Sequence, residues 1–378
     1  MQIEGRGLIF DASKQPDSRR IAFFSSLCRL ESGTILAGFQ VGPSKHAPTS
    51  SIGLCRSGDG GASWHELSPA FETRSTDGRP GSLAAAEMVE AEPGRLLLFT
   101  TWFDRSEPAR PLFDPVTEGI LHSRQLVASS TDEGDSWSAW QTVPTPGLAG
   151  CATTGPPVRW RDGTIAHAFE SFKEYDDPRP GHHAAWVALS RDGGRTFGEP
   201  LLVARHPEDR VYYWDQRLCA AGGPREYVAL FWTHDLDQRR DLHVHIRRAT
   251  VFDMDFRTAP IRETSIAGQI AAPLLLDDGR LLAFVVDRHR PGTLKLWSSP
   301  DRGGHWPEGD CLLIHTHLEQ SAVTQGTENV DFKQYWEDMG KWSFGHPAIL
   351  QLSNDRVLLA WYAGSPDCMS LHWARVRL

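Results

Sequence analysis

The chain has 378 residues, with 39 Lys and Arg against 48 Asp and Glu and a formal net charge of −9, and its pI is near 6.0. That balance excludes a protein organised around a basic nucleic-acid-binding stripe. No apolar run approaches a membrane span, and "MQIEGRGLIF" lacks a charged head followed by an apolar stretch, so the expectation is a soluble protein that binds neither nucleic acid nor membrane. The expected place is the cytoplasm for the chain as it stands, or outside the cell if a leader has been removed; the sequence sets no oligomeric state.

In chain order, "QIEGRGLIFDA" reads as a lone strand. "SLCRLESGTILAGFQ" and then "SSIGLCRSGDGGASWHEL" read as apolar runs separated by turns, the third run leading into a Gly-rich loop. The same order returns at "APLLLDDGRLLAFVVD" and "TLKLWSSPDRGGHW". Asp-Gly and Ser-Gly between apolar runs are hairpin signals, because Gly takes φ > 0 without steric cost. Residues 317–341, "HLEQSAVTQGTENVDFKQYWEDMGK", form the longest insertion, polar but carrying Tyr335 and Trp336, and are expected to face a substrate. The last unit, "FGHPAILQLSNDRVLLAWYAGSPDCMSLHWARVRL", stops after its third strand.

The Gly-rich loops share one pattern, Ser-x-Asp-x-Gly-x-x-Trp/Phe: "SGDGGASW" (57–64), "STDEGDSW" (130–137), "SRDGGRTF" (190–197) and "SPDRGGHW" (299–306). Asp59, Asp132, Asp192 and Asp301 stand 73, 60 and 109 residues apart. A degenerate copy at 249–256, "ATVFDMDF", has Val251 in the aspartate's place and Phe256 in the aromatic's, and divides the long interval into 59 and 50. A period of roughly 50–70 residues marks a repeat architecture. The loop reads as a turn: Ser and Asp accept from backbone N–H groups, Gly supplies a left-handed position, and the aromatic packs into the sheet. A calcium loop would need ligands at alternate positions and a distal Glu, which the pattern lacks.

These loops resemble the Asp-box, or bacterial neuraminidase repeat, and the chain resembles the sialidase superfamily over nearly its whole length. The resemblance implies an all-β fold, a six-bladed β-propeller of four-stranded antiparallel blades forming a single domain over residues 1–378. The N-terminal strand is then expected to supply the fourth strand of the last blade and close the ring. The 14 Trp and 17 Phe suit packing between blades. Cys28, Cys55, Cys151, Cys219, Cys311 and Cys368 show no metal spacing and read as free thiols. "HVH" (243–245) and "HTH" (315–317) each put two imidazoles on one strand face without a third ligand, so no metal and no cofactor are expected.

A propeller hosts many activities, so function rests on the segments that lead into the inner strands and leave the second ones. These include "AAAEM" (84–88), "YYWDQR" (212–217), "AGQIAAP" (267–273), "KWSFGHP" (341–347), "TWFDR" (101–105), "FESFKEYDD" (169–177), "WTHDLDQRRD" (232–241) and "VDRHRPG" (286–292). Sialidases share three arginines clamping the substrate carboxylate, a Tyr nucleophile activated by a Glu, and an Asp acid/base. Carried onto this sequence, the first arginine's place falls on Phe23, with Arg19 and Arg20 upstream, and the activating Glu corresponds to Asp215. The second arginine faces His234, the third matches Arg288 or Arg290, and the tyrosine's neighbourhood holds Trp342 and Phe344. The resemblance implies a sugar-processing site with an atypical arginine triad.

Glycoside hydrolysis takes two carboxyls across the scissile bond. Asp104, Glu170, Asp215, Asp235 and Asp287 are candidates, with His234 and Tyr213 as further catalytic groups. Arg288 and Arg290 would hold an acidic sugar in a bidentate contact, and His289, Gln269, His346 and Trp342 complete the binding candidates. β-Elimination from a uronate stays open on similar residues, with His234, His289 or His346 as base, Tyr212 or Tyr213 as donor and an arginine at the enolate. A carbohydrate-binding propeller without turnover also stays open. The leading reading is an exo-acting glycoside hydrolase on an acidic or deoxy sugar, its partner a glycan or small-molecule sugar.

Overall fold

Each apolar run forms a strand, and consecutive strands pair antiparallel across short turns. The computed structural model of the chain describes residues 1–252, 255–289, 291–319 and 332–378. The first unit comprises Ile21–Arg29, Ile35–Gly42, Ser51–Ser57 and His65–Leu67, and the second Gly81–Glu92, Arg95–Asp104, Ser123–Ser130 and Gln141–Val143. The third is built on Gly150–Thr153, Ile165–Phe172, Ala184–Ser190 and Leu201–Ala204, with Val158–Arg159 also on the Ile165–Phe172 strand. Val211–Ala220, Glu226–Asp235, His245–Phe252 and Asp255–Thr258 make the fourth; Ala271–Leu275, Leu281–Asp287, Gly292–Ser299 and Cys311–His317 make the fifth. The sixth has Phe344–Ser353, Arg356–Ser365 and Cys368–Arg377, and its outer strand is Gln2–Phe10, antiparallel to Cys368–Arg377. The strand left over at the N-terminus therefore takes the place of the fourth strand missing from the last unit. A single parallel pair, Ile21 with Met369, links the first and sixth units.

The fold is all-β, and the inner strands follow one another round the molecule. Ile21–Arg29 lies against Gly81–Glu92 on one side and Phe344–Ser353 on the other. Ala271–Leu275 lies between Val211–Ala220 and Phe344–Ser353, and Val158–Arg159 touches both Gly81–Glu92 and Val211–Ala220.

The four repeated loops fold alike. Ser57 Oγ lies 2.8 Å from Asp59 Oδ1 and accepts from the Gly61 N–H at 2.9 Å, while Asp59 accepts from the N–H groups of Ala62 and Ser63 and from Ser63 Oγ. Ser130 with Asp132, Ser190 with Asp192 and Ser299 with Asp301 repeat the scheme. The pattern glycine is needed twice over: Gly61 has φ +84°, and a Cβ there would stand 2.8 Å from Leu358 of the sixth unit. Gly134 meets Leu36 of the first unit, Gly194 Leu97 of the second and Gly303 Ile246 of the fourth. Each loop is thus a turn seated on the unit before it. In the fourth unit the corresponding strands pair directly, Val251 opposite Phe256; the Phe256 side chain lies outside the described residues.

Four inner strands break register at one shared point, between Phe23 and Ser26, Ala84 and Glu87, Trp214 and Arg217, and Gly345 and Ala348. The first residue inside each break is left-handed: Phe24 (φ +57°), Ala85 (+66°), Asp215 (+48°) and His346 (+53°). A bulge re-aims a side chain, and left-handed backbone costs a residue with a Cβ about 1 kcal/mol. All six cysteines are free. Among the described residues, no helix is long and apolar enough to cross a membrane.

Candidate functional site

The four left-handed residues converge on one cavity of about 100 Å³. Residues two apart on a strand share a face, so Thr101 with Phe103 and Glu170 with Phe172 enter the wall together, beside Trp214 and Trp232. The roof comes from two insertions: Leu112, Phe113 and Ile120 of the second unit, and Tyr335, Trp336 and Met339 of the helix Phe332–Met339. Phe113 and Trp336 stack with ring centroids 3.6 Å apart, and Tyr335 stands edge-on to Trp214 and Trp232. Lys45 Nζ donates to the Met339 carbonyl and the Tyr362 hydroxyl, each at 3.0 Å, tying the helix's last turn to the sixth unit; burial and Arg288 hold this amine well below its usual range. The long insertion therefore meets the cavity through its helix; its residues 320–331 lie outside the described residues.

Two carboxyls meet on the cavity wall. Glu170 Oε2 accepts from the Asp215 backbone N–H at 3.2 Å and lies 2.8 Å from His183 Nε2. Burial pushes the Glu170 carboxyl up to about 8, opposed by that N–H and by Arg217. Burial and the neighbouring Glu170 push Asp215 up to about 7, opposed by Arg217, whose Nη2 is 3.8 Å from Asp215 Oδ1. Asp215 keeps 23% of its side chain open. Near neutrality the pair holds protons that ordinary carboxyls would have lost, the condition acid–base chemistry at a glycosidic bond requires.

The histidines are fixed neutral. Arg217 Nη2 lies 2.6 Å from His346 Nε2, and His346 Nδ1 lies 3.1 Å from the Ser25 carbonyl. A guanidinium only donates, so Nε2 accepts and Nδ1–H donates. The lone pair that would take a proton is already used, and burial with Arg217 holds the ring well below its usual range. His46, also on the lining, is lowered to about 3 by burial and by Lys45 and Arg105.

Of the residues singled out in the sequence, Asp215, Glu170, His346 and Trp342 line this cavity. His234 sits one layer behind, stacked on Trp214 at 5.4 Å, with Nδ1 2.9 Å from Asp241 Oδ1. Asp241 Oδ2 accepts from Gln269 Nε2 at 3.0 Å, and Gln269 Oε1 accepts from Arg288 Nη1 at 2.6 Å. Arg288 also donates to the Phe344 carbonyl and lies over the Trp342 ring at 4.1 Å. It is off the cavity lining, where it backs Trp342, and it borders an outer cleft with His289, His317 and Glu319. Asp104 is bound to Arg79 at 2.8 Å and opens into a separate cleft beyond Ile120. Strand alternation turns Tyr213 to the opposite face from Trp214, against Phe231 and His245. Asp235 accepts from Gln238, and Asp287 pairs with His289 in an outer cleft. Arg290 lies outside the described residues.

Sequence reasoning passed over Phe24, His46, Trp214, Trp232 and His183. Alternation along "YYWDQR" carries the signal for Trp214 over Tyr213; nothing local marks His183, which reaches Glu170 from the neighbouring strand's approach. Among the described residues no three His, Cys, Asp or Glu side chains cluster as metal ligands.

The architecture is that of solved sialidases. A Hadza microbial sialidase superposes with a TM-score of 0.70 at 16% identity, covering 99% of this chain and 68% of that one. Trypanosoma rangeli sialidase, solved with 2,3-difluorosialic acid, gives 0.63 at 11% identity over 98% and 58%. A Dyadobacter fermentans protein of unknown function gives 0.73 at 17% identity, covering 100% of this chain and 99% of that one. At these identities the likeness is one of fold. In sequence the chain is similar to a sialidase of Micromonospora viridifaciens, 30% identical over 198 residues, which are 49% of this chain and 30% of that protein. No protein-family model matches.

Proposed function

We propose that this chain is a glycoside hydrolase of the sialidase superfamily, a single-domain six-bladed β-propeller whose acid–base pair is Glu170 and Asp215. Six antiparallel units in succession, the last completed by Gln2–Phe10, and four Asp-box loops seated between units support the architecture. The observation that carries the chemistry is the pair of raised carboxyls sharing one wall of the cavity.

The lining argues for the sugar's chemistry. Among the described residues no arginine or lysine lines the cavity; beside the Tyr335 hydroxyl and the indoles, its polar groups are His46, Thr101, Thr153, Glu170, Asp215 and His346. A carboxylate sugar would meet no guanidinium or ammonium on that lining. Aromatic walls from Phe24, Phe172, Trp214, Trp232 and Trp342 suit the apolar faces of a sugar ring. The substrate is therefore an uncharged sugar, deoxy rather than acidic, taken as a chain end beneath the roof. Hydrolysis is favoured over elimination because two carboxyls stand side by side on the wall, the arrangement glycoside hydrolysis uses, while the described lining offers no arginine or lysine to an enolate.

The test is a panel of deoxy, neutral, uronic and sialic glycosides. Turnover is expected on the uncharged members, and Asp215→Asn and Glu170→Gln should each lower kcat by about 10²–10⁴-fold with the fold intact by circular dichroism. Turnover confined to sialosides, release of unsaturated uronate, or an active Asp215→Asn would overturn the reading.

A further inference from the structure

Below the cavity lies a second one of about 20 Å³, lined by Ser25, Ser26, Glu87, Arg217, Pro347 and Ala348 among others. Glu87 and Arg217 both sit at the inner-strand bulges of their units, two residues beyond Ala85 and Asp215, so the register breaks bring them to one place. Glu87 is wholly buried, and among the described residues no donor reaches either of its oxygens. Arg217 Nε is buried without an acceptor. Buried polar groups left unmatched call for a partner, and a polar void above about 10–15 Å³ takes one water.

We propose that this cavity is a water site, and that Glu87 is a positioning residue for the carboxyl pair above: through that water it draws on Arg217 and limits how far the guanidinium favours an ionised Asp215. The arrangement sets one buried guanidinium among three carboxyls, Glu87, Glu170 and Asp215. Arg217 opposes the upward push of burial on Glu87, to about 7, and Asp215 adds to that push. It also opposes the rise of Glu170 and Asp215. Of the other charged or titratable groups, His346 takes a bond from Arg217, while Arg288 and His183 bear on Asp215. The first, third and fifth units offer Ser25, Ser26, Pro156, Ala272 and Pro273, none of which titrates. Ser25 Oγ donates to the His346 carbonyl and Ser26 Oγ to the Ala86 carbonyl, leaving hydroxyl lone pairs for the water's protons.

The sign follows from the charges. Glu87→Gln keeps the shape but never becomes anionic, so Arg217 acts on two carboxyls instead of three, and both ionise at lower pH. The inference rests on Glu170 and Asp215 as the acid–base pair only for its effect on turnover. In carbon-13 carboxyl titrations, wild type should show three carboxyls titrating near neutrality; Glu87→Gln should show two, with Asp215 moved down by about one unit. The alkaline limb of kcat/KM should move the same way, a shift that a merely structural role would not produce. A high-resolution structure of wild type should place a water between Glu87 and Arg217. A dry cavity, an unmoved Asp215, or a wild-type Glu87 titrating in the ordinary carboxylate range overturns the proposal, and the first and last need no variant that folds. A shifted Asp215 in a chain that turns over no glycoside would keep this proposal and refute the hydrolase reading.

Discussion

The repeated loops and the cavity hold the same functional group in opposite ways. Asp59 stands at the surface with donors from Ser57, Ala62 and Ser63, all within four residues of it, and those donors hold it below its usual range. Glu170 stands in the interior, its contacts coming from residues 13 and 45 positions away, and burial holds it above. The glycine positions differ too. The loops place Gly at the left-handed point packed against the neighbouring unit, with Glu133 and Arg302 left-handed only at the more exposed step before it, whereas the cavity places Phe24, Ala85, Asp215 and His346 in left-handed backbone on its own lining. One region is locally satisfied and serves stability; the other stores desolvation and strain, the usual mark of a working site.

The largest test of this contrast is stability against pH. Glu87, Glu170 and Asp215 have folded values of about 7, 8 and 7, above unfolded values of roughly 4. Their contribution is full below that unfolded value and is lost as pH rises through about 7–8. The loop aspartates are depressed, so theirs is present above the unfolded value and lost as pH falls. Urea unfolding across pH should therefore show these carboxyls lowering stability by several kcal/mol between about pH 4 and pH 8, a decline that Glu170→Gln should flatten; an unaltered slope over that range would remove the contrast.

A smaller effect tests the loops. Asp59→Ala removes turn hydrogen bonds and should cost about 1–3 kcal/mol in urea unfolding, with turnover per folded molecule unchanged. Full stability combined with lost turnover would move Asp59 from the structural set to the functional one. The smallest test addresses strain: Ala85→Gly relieves a left-handed alanine at φ +66° and should gain up to about 1 kcal/mol, whereas the same change at a relaxed strand position loses stability.

The two regions were also unequally legible. The loops could be read because their chemistry is written within eight residues, and the strands because alternation and hairpin turns are local. The leftover strand "QIEGRGLIFDA" could be placed because the last unit was one strand short. At the site, Glu170, Asp215, His346 and Trp342 were found by their position at strand ends, but which alternating face of "YYWDQR" looks into the cavity depends on the neighbouring strands, and Tyr213 was read where Trp214 stands. Arg288 looked like a cavity clamp because charge is visible in a sequence, while its seat behind Trp342, off the cavity lining, is not. Glu87 gave no sign of its isolation.

The shared bulge turns positions 24, 85, 215 and 346 into sockets. Each is framed by the backbone of its own unit, and together they present an aromatic, a methyl, a carboxyl and an imidazole; the carboxyl and the imidazole are tied to Arg217, whereas Phe24 and Ala85 carry no such tie. Substitution at positions 24 and 85 would then reshape the chamber's walls while its hydrogen-bond ladders and its acid pair stayed still, so a designer could alter it one socket at a time.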